Sequence, residues 1–221
     1  MTPPESFELP LPSIRPVAGR IELGAGATVL AGYAAERAAV LVALIEAISA
    51  AAPLRRMVTP SGWRMSVAMT NCGPVGWVTD KSGYRYTGED PLTGRSWPDM
   101  PEEFTRLASE AAESAGFADF SPDACLINRY EPGAHLSLHQ DRDEKDMHAP
   151  IVSVSLGLAA LFLWGGSARS ARVRRVPLLH GDVVVWGGPS RLTFHGVHKL
   201  CADVHPLTGT LRYNLTFRKA R

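Results

Sequence analysis

The second half of this chain abandons helical periodicity for strand periodicity, and that change constrains the fold most. From about Ala124 onward, apolar and polar residues alternate with period two. In LRYNLTFR, Leu211, Tyr213, Leu215 and Phe217 share one face, while Arg212, Asn214, Thr216 and Arg218 share the other. In HLSLHQD, Leu136 and Leu138 point one way; His135, Ser137, His139 and Asp141 point the other. Between them lie IVSVSLG, ALFLW, DVVVW and RLTFHGV, separated by turns such as Gly187-Gly188-Pro189. Short strands at this spacing predict a sandwich or small barrel. A jelly roll fits best, with ligands held in its mouth.

The first half reads differently. Residues 1–20 are proline-rich and predict an extended arm. Residues 33–50 predict an Ala-rich helix, with Val40, Leu41, Leu44, Ile45 and Ile48 as its buried stripe. Residues 54–100 carry short strands with Gly/Pro punctuation, including GPVGW and DKSGYRY. A second helix is expected from Pro101: proline suits a first turn, Glu102 and Glu103 complement the dipole, and Gly116 marks the end. Phe104, Leu107, Ala108 and Ala111 form its inner face. The expected class is mainly β with flanking helices (α+β), a single domain over residues 21–221.

Composition excludes some functions. A net charge of +1 over 221 residues does not describe a protein that wraps a long duplex. Cys72, Cys125 and Cys201 are scattered, with no CxxC pair, which fits a reducing cytoplasm better than a disulfide scaffold or a cysteine zinc site. The N-terminus lacks the basic region of a signal peptide, and the most apolar run, Ala38 to Ile45, is too short to span a bilayer. A soluble, membrane-free monomer is expected.

All seven histidines lie between His135 and His205. His139 and Asp141 fall on one face of a strand, and His195 follows a hydrophobic strand and a turn. Two imidazoles and a carboxylate can hold one face of an iron ion and leave the other open. A bare HxD is common and usually means an ordinary polar face, and zinc also accepts this ligand set. The row Arg212, Asn214, Thr216 and Arg218 separates the two metals. Such a face cannot enter a dry core without partners, and a guanidinium grips a carboxylate bidentately. A dicarboxylate beside the ion is what an iron oxygenase needs and a zinc hydrolase does not.

The stretches CLINRYEPGAHLSLHQDRDE, APIVSVSLGL, HGDVVVWGG and RYNLTFR, with TNCGPVGW, closely resemble the bacterial AlkB family of DNA-alkylation repair dioxygenases. The resemblance runs from about Met69 to Arg218. It implies a double-stranded β-helix core with a nucleotide-recognition lid at about 55–100. It implies Fe(II), with 2-oxoglutarate and O2 as cosubstrates. His139, Asp141 and His195 then correspond to the metal ligands. Arg212 corresponds to the residue on the distal carboxylate of 2-oxoglutarate, and Asn128, Tyr130, Asn214 and Arg218 to the rest of that pocket. Trp77, Tyr84, Tyr86, Asp143 and Arg169 match substrate positions; Thr59 and Gln140 match positions near the nucleic-acid backbone.

The implied reaction is oxidative removal of alkyl groups from bases such as 1-methyladenine and 3-methylcytosine. The substrate would be single- or double-stranded DNA, with RNA a further candidate; 2-oxoglutarate goes to succinate and CO2, and formaldehyde is released. A methylated pairing edge weakens pairing, which lowers the cost of flipping the base out, and it makes the ring cationic, which suits an aromatic face. The chain departs from the family at His135, where bacterial members often carry lysine, and at Leu163-Trp164, which replaces a Gln-aromatic pair. These departures bear on substrate choice and leave the reaction type intact. The competing readings are a 2-oxoglutarate oxygenase acting on a protein or small molecule, and a non-catalytic binder of damaged DNA.

Overall fold

The computed structural model describes residues 19–221. Most of the expected arm lies outside them, and its last two residues, Gly19 and Arg20, open a strand. The strands are β1 (Gly19–Gly24), β2 (Ala27–Ala31), β3 (Ala68–Cys72), β4 (Gly76–Asp80), β5 (Gly83–Thr87), β6 (Ala124–Tyr130), β7 (Leu136–His139), β8 (Ile151–Gly157), β9 (Ala160–Trp164), β10 (Arg174–Leu178), β11 (Val183–Trp186), β12 (His195–Val197) and β13 (Arg212–Arg218). The helices are α1 (Ala38–Ala51) and α2 (Glu102–Ser114).

A large sheet runs in the order β1-β2-β11-β8-β13-β6-β3, and a small one in the order β10-β9-β12-β7. The pairings recorded within both are antiparallel. The sheets pack face to face. Val29, Ile151, Val184 and Trp186 of the large sheet meet Phe162, Trp164, Val176 and Leu178 of the small one. The opposite face of the large sheet carries both helices: Ile127, Val152, Val154, Leu215 and Phe217 pack with Leu41, Ile45, Phe104 and Leu107. Period-two alternation therefore has consequences on β13. Its apolar residues go to the helices, and its polar row faces the space between the sheets. This is the expected jelly roll with flanking helices.

The helix boundaries show where local signals win. α2 begins after Pro101, as expected, and its C-terminal turn closes when Phe117 N–H donates to the Ala112 carbonyl with Gly116 at φ +91°. All four residues expected on its inner face are fully buried. α1 starts later than residue 33, after a short 3-10 turn at Ala35–Arg37, and ends at Ala51 because Pro53 pushes Ala52 into extended geometry. Val40, expected in its buried stripe, is 55% exposed, and Ala38 and Val42 are buried instead. The buried stripe is Ala38, Leu41, Val42, Ile45 and Ile48, at helical spacing, and Val40 falls outside it. Two further departures concern strands. β10 (Arg174–Leu178) lies between ALFLW and DVVVW, a stretch with no strand in the expected pattern. β3, inside the expected lid region, is the edge strand of the large sheet. The β4–β5 hairpin forms its own two-stranded unit beside it.

Candidate metal centre and its pocket

β12 and β7 lie side by side with His195 directly opposite His139. A Cβ on Gly196 would sit 2.6 Å from the Leu136 carbonyl oxygen, so only glycine lets the two backbones come this close. Asp141 falls two residues past the end of β7 rather than on it. The strand reading was thus one step too long, yet the carboxylate still reaches the histidines. His139 Nε2 lies 3.7 Å from Asp141 Oδ1, and His195 Nε2 lies 3.8 Å from Oδ2. These gaps are too long for hydrogen bonds. One ligand atom from each residue lies within 4.8 Å of the others, the spacing of side chains arranged around an ion.

The second ring nitrogens are engaged elsewhere. His139 Nδ1 donates to the Ser137 carbonyl at 2.9 Å and His195 Nδ1 to the Thr193 carbonyl at 3.0 Å. Backbone carbonyls accept only, so both imidazoles carry Nδ1–H and turn Nε2 toward Asp141. Burial and the adjacent His139 push His195 down to about 4, so it is neutral near pH 7, as a ligand must be. Burial alone would raise Asp141. The Arg218 guanidinium, with Nη2 at 2.8 Å and Nε at 3.1 Å from Oδ2, and the two imidazoles hold it well below the usual carboxylate range.

Arg212 is 1% exposed, and its charge is desolvated. One bond is made, Nη2 to Ser155 Oγ at 2.9 Å, and the guanidinium lies 5.0 Å from the centre of the Tyr130 ring. Nε and Nη1 are buried with no partner among the described residues. An unmatched buried donor costs about 1–3 kcal/mol, and here two of them sit on one cation. Asn214 donates to Ser153 Oγ and the Val154 carbonyl, and accepts from Asn128 and Thr216. Asn128 Oδ1 is likewise buried and unmatched, and burial pushes the Tyr130 hydroxyl up to about 12. A buried cation with spare donors, next to an asparagine and a protonated phenol, fits a carboxylate ligand. The donor set and this pocket thus suit an ion and a dicarboxylate together.

The expected substrate residues fall in two groups. On the β4–β5 hairpin, Trp77 lies opposite Tyr86 and diagonal to Tyr84. Trp77 and Tyr84 stack at 5.7 Å with planes 17° apart, and Trp77 Nε1–H donates to Asp143 Oδ2 at 2.9 Å. Tyr86 instead turns inward and donates its hydroxyl to Glu144 Oε1 at 2.6 Å. On the other wall, Arg169 lies over Phe194 at 5.4 Å, and Gln140 Nε2 donates to the Leu192 carbonyl at 2.5 Å. Thr59 is engaged in its own turn with Ser61 and Trp63. Of the departures noted above, Trp164 is buried against Phe162 and Trp186, beside His195.

Sequence reading missed Glu144 and Arg191. Both are buried: Arg191 donates to Glu144 Oε2 at 3.0 Å and to the Asp141 carbonyl at 2.7 Å. In DRDEKD, Glu144 looks like one more solvated acid, and nothing local marks it as different. Ser153 and Ser155 were also missed, although alternation in IVSVSLG places both opposite the valines and so toward the polar row.

A two-sheet jelly roll with a His-Asp-His cluster in its mouth and a buried arginine beyond it defines an iron and 2-oxoglutarate oxygenase. The chain belongs to the 2OG-Fe(II) oxygenase superfamily, whose profile matches residues 26–218, and it is therefore a dioxygenase that uses Fe(II), 2-oxoglutarate and O2. It is 57% identical over 198 residues to the alpha-ketoglutarate-dependent dioxygenase AlkB of Escherichia coli (strain K12), a match covering 90% of this chain and 92% of that protein. It is 33% identical over 145 residues to the tRNA demethylase abh1 of Schizosaccharomyces pombe, covering 65% of this chain and 46% of that one. Among solved structures, that of OsALKBH1 superposes with a TM-score of 0.81 at 28% identity, covering 91% of this chain and all of its own.

Proposed function

We propose that this dioxygenase removes methyl and related alkyl groups from ring nitrogens of bases in nucleic acid. The observation that carries the reading is the Trp77–Tyr84 stack with Asp143 hydrogen-bonded to it, on the hairpin beside the His-Asp-His cluster. An aromatic face with a carboxylate at its edge suits a flat, cationic ring, which is what a base alkylated at its pairing edge becomes. The similarity to AlkB and to a tRNA demethylase supports the same substrate class.

His139, Asp141 and His195 would hold the iron, and Arg212 would grip the far carboxylate of 2-oxoglutarate through its spare Nε and Nη1. Asn128, Tyr130 and Asn214 would line the same pocket, and Arg218 would contribute by fixing Asp141. When bound, the iron with 2-oxoglutarate and O2 supplies the oxidising power. The chain's own residues place and protect. Trp77 and Tyr84 hold the base plane, and the Trp77–Asp143 bond fixes the indole. Tyr130 stays protonated and can donate to a carboxylate. Arg169, Gln140 and Thr59 would lie along the strand that carries the target. One oxygen atom enters the methyl group and the other enters succinate. The N-hydroxymethyl product then breaks its C–N bond: the electron pair returns to the ring nitrogen, formaldehyde leaves, and the hydroxyl proton goes to water.

A base inside a duplex cannot reach this pocket, so the target is presented single-stranded or flipped out. The working assignment is a monomer in the cytoplasm; the scattered cysteines, none of them in a disulfide among the described residues, support the reducing compartment alone. No helix among those residues is long and apolar enough to cross a membrane. The test is incubation with Fe(II), 2-oxoglutarate and O2 of matched DNA and RNA oligonucleotides carrying 1-methyladenine or 3-methylcytosine, single- and double-stranded. Restored unmodified bases support the reading. Succinate formed at a rate indifferent to every methylated strand would turn it toward a protein or small-molecule substrate.

A further inference from the structure

The cluster beneath the hairpin does more than fill space. Glu144 has a side chain only 2% exposed, and three groups meet it: the Tyr86 hydroxyl from β5 at 2.6 Å, Arg191 Nη2 at 3.0 Å and Arg218 Nε at 3.3 Å. The same Arg218 Nε–H donates to Asp141 Oδ2 at 3.1 Å. One N–H cannot point fully at two carboxylates, so Glu144 and Asp141 compete for it. The Tyr86 proton decides the competition. With that hydroxyl in place, Glu144 Oε1 has a short donor and Arg218 is left to Asp141. Without it, the buried Oε1 must draw on Arg218, because an unmatched buried carboxylate oxygen is costly. Pulling the guanidinium toward Glu144 turns Asp141 away from the edge it shares with His139 and His195.

We propose that Glu144 is a positioning residue that links the β4–β5 hairpin to Asp141, so that seating of the hairpin and binding of the metal strengthen one another. The link to substrate rests on the reading that this hairpin holds the target base; the link from Tyr86 to the metal does not. Coupling of this kind is reciprocal: whatever seats the hairpin tightens the metal, by the same factor by which the metal tightens it.

The test uses the full chain with Mn(II), read by electron paramagnetic resonance of the free ion, in the presence of 2-oxoglutarate. Tyr86→Phe removes one hydroxyl and keeps the ring; Glu144→Gln keeps the shape and removes the charge. Tyr86→Phe is expected to weaken Mn(II) binding roughly 3- to 10-fold, whereas Glu144→Gln, which relieves the pull on Arg218, is expected to leave it within about twofold of the wild type. The double variant is expected to bind Mn(II) about as well as Glu144→Gln alone, because Tyr86 acts through the Glu144 charge. A methylated single-stranded oligonucleotide is expected to tighten Mn(II) several-fold in the wild-type protein and to change it little in Tyr86→Phe. Unaltered Mn(II) affinity in Tyr86→Phe with only a lower Tm would overturn the proposal, as would a loss in the double variant as large as that in Tyr86→Phe alone. So would equal tightening by the oligonucleotide in both proteins. Failure of the oligonucleotide to bind at all counts against the proposed substrate, and the Mn(II) affinities of the variants then judge the link from Tyr86 to Asp141.

Discussion

Replacing Arg212 with lysine separates binding of 2-oxoglutarate from mere packing. The guanidinium is buried, spends one N–H on Ser155 and keeps Nε and Nη1 unmatched. A bidentate grip on a carboxylate through those two atoms amounts to two charge-assisted hydrogen bonds, about 3–6 kcal/mol at roughly 1.5–3 kcal/mol each. Lysine keeps one charge and, at best, one bond, so about 1.5–3 kcal/mol is lost. That corresponds to roughly 10- to 150-fold weaker 2-oxoglutarate binding. The assay is calorimetric titration of 2-oxoglutarate into the Mn(II)-loaded protein, with KM and kcat for 2-oxoglutarate as a second measure; KM should bear most of the loss. Arg212→Met adds a test of opposite sign. Removing a desolvated cation with two idle donors should leave the ligand-free Tm unchanged or higher while abolishing 2-oxoglutarate binding. If Arg212→Lys binds 2-oxoglutarate normally, or if Arg212→Met lowers the Tm as a core cavity would, then the arginine is structural and the argument from its unmatched donors is wrong.

Trp77→Ala removes both the stack on Tyr84 and the bond to Asp143, so KM for a methylated oligonucleotide should rise by roughly 5- to 150-fold, about 1–3 kcal/mol as for other base–aromatic stacks, with 2-oxoglutarate affinity unchanged. Acid should destabilise the metal-free protein. His195 falls from 6.5 unfolded to about 4 folded, so the unfolded chain binds more protons between those values, and about 3 kcal/mol present above pH 6.5 is lost as pH falls toward 4. The lowered Asp141 extends that loss to lower pH, and thermal melts from pH 7 to pH 4 check the sign. Phe104→Ala should cost about 3–5 kcal/mol in urea unfolding, because Phe104 is fully buried and packs edge-on to Phe217 on the back of β13.

The fold and the candidate His-Asp-His cluster were legible for the same reason. Alternation in LRYNLTFR assigns a face to every residue of β13, and the polar face can only be a site once the apolar face is core. The HxD motif needed only closeness, which tolerated Asp141 lying past the strand end. Local sequence failed where meaning depends on what the chain folds against. Glu144 is one acid in an acidic run until Arg191 and Arg218 arrive from 47 and 74 residues away to bury it. Val40 and Val42 both flank Leu41 in an apolar run, and only packing against the sheet shows that Val42 is the one buried. Tyr86 shares a face with Trp77 and Tyr84 in the pattern, yet its hydroxyl goes to Glu144.

The most direct measurement is the stoichiometry of succinate and formaldehyde when purified protein acts on single-stranded DNA carrying 1-methyladenine. The expected result is one formaldehyde per succinate in the coupled reaction, succinate strongly accelerated by the methylated strand over the unmethylated one, and both products lost in His139→Ala. Succinate unaffected by the methylated strand with no formaldehyde, or repair that survives His139→Ala, would contradict the assignment of this pocket to base dealkylation.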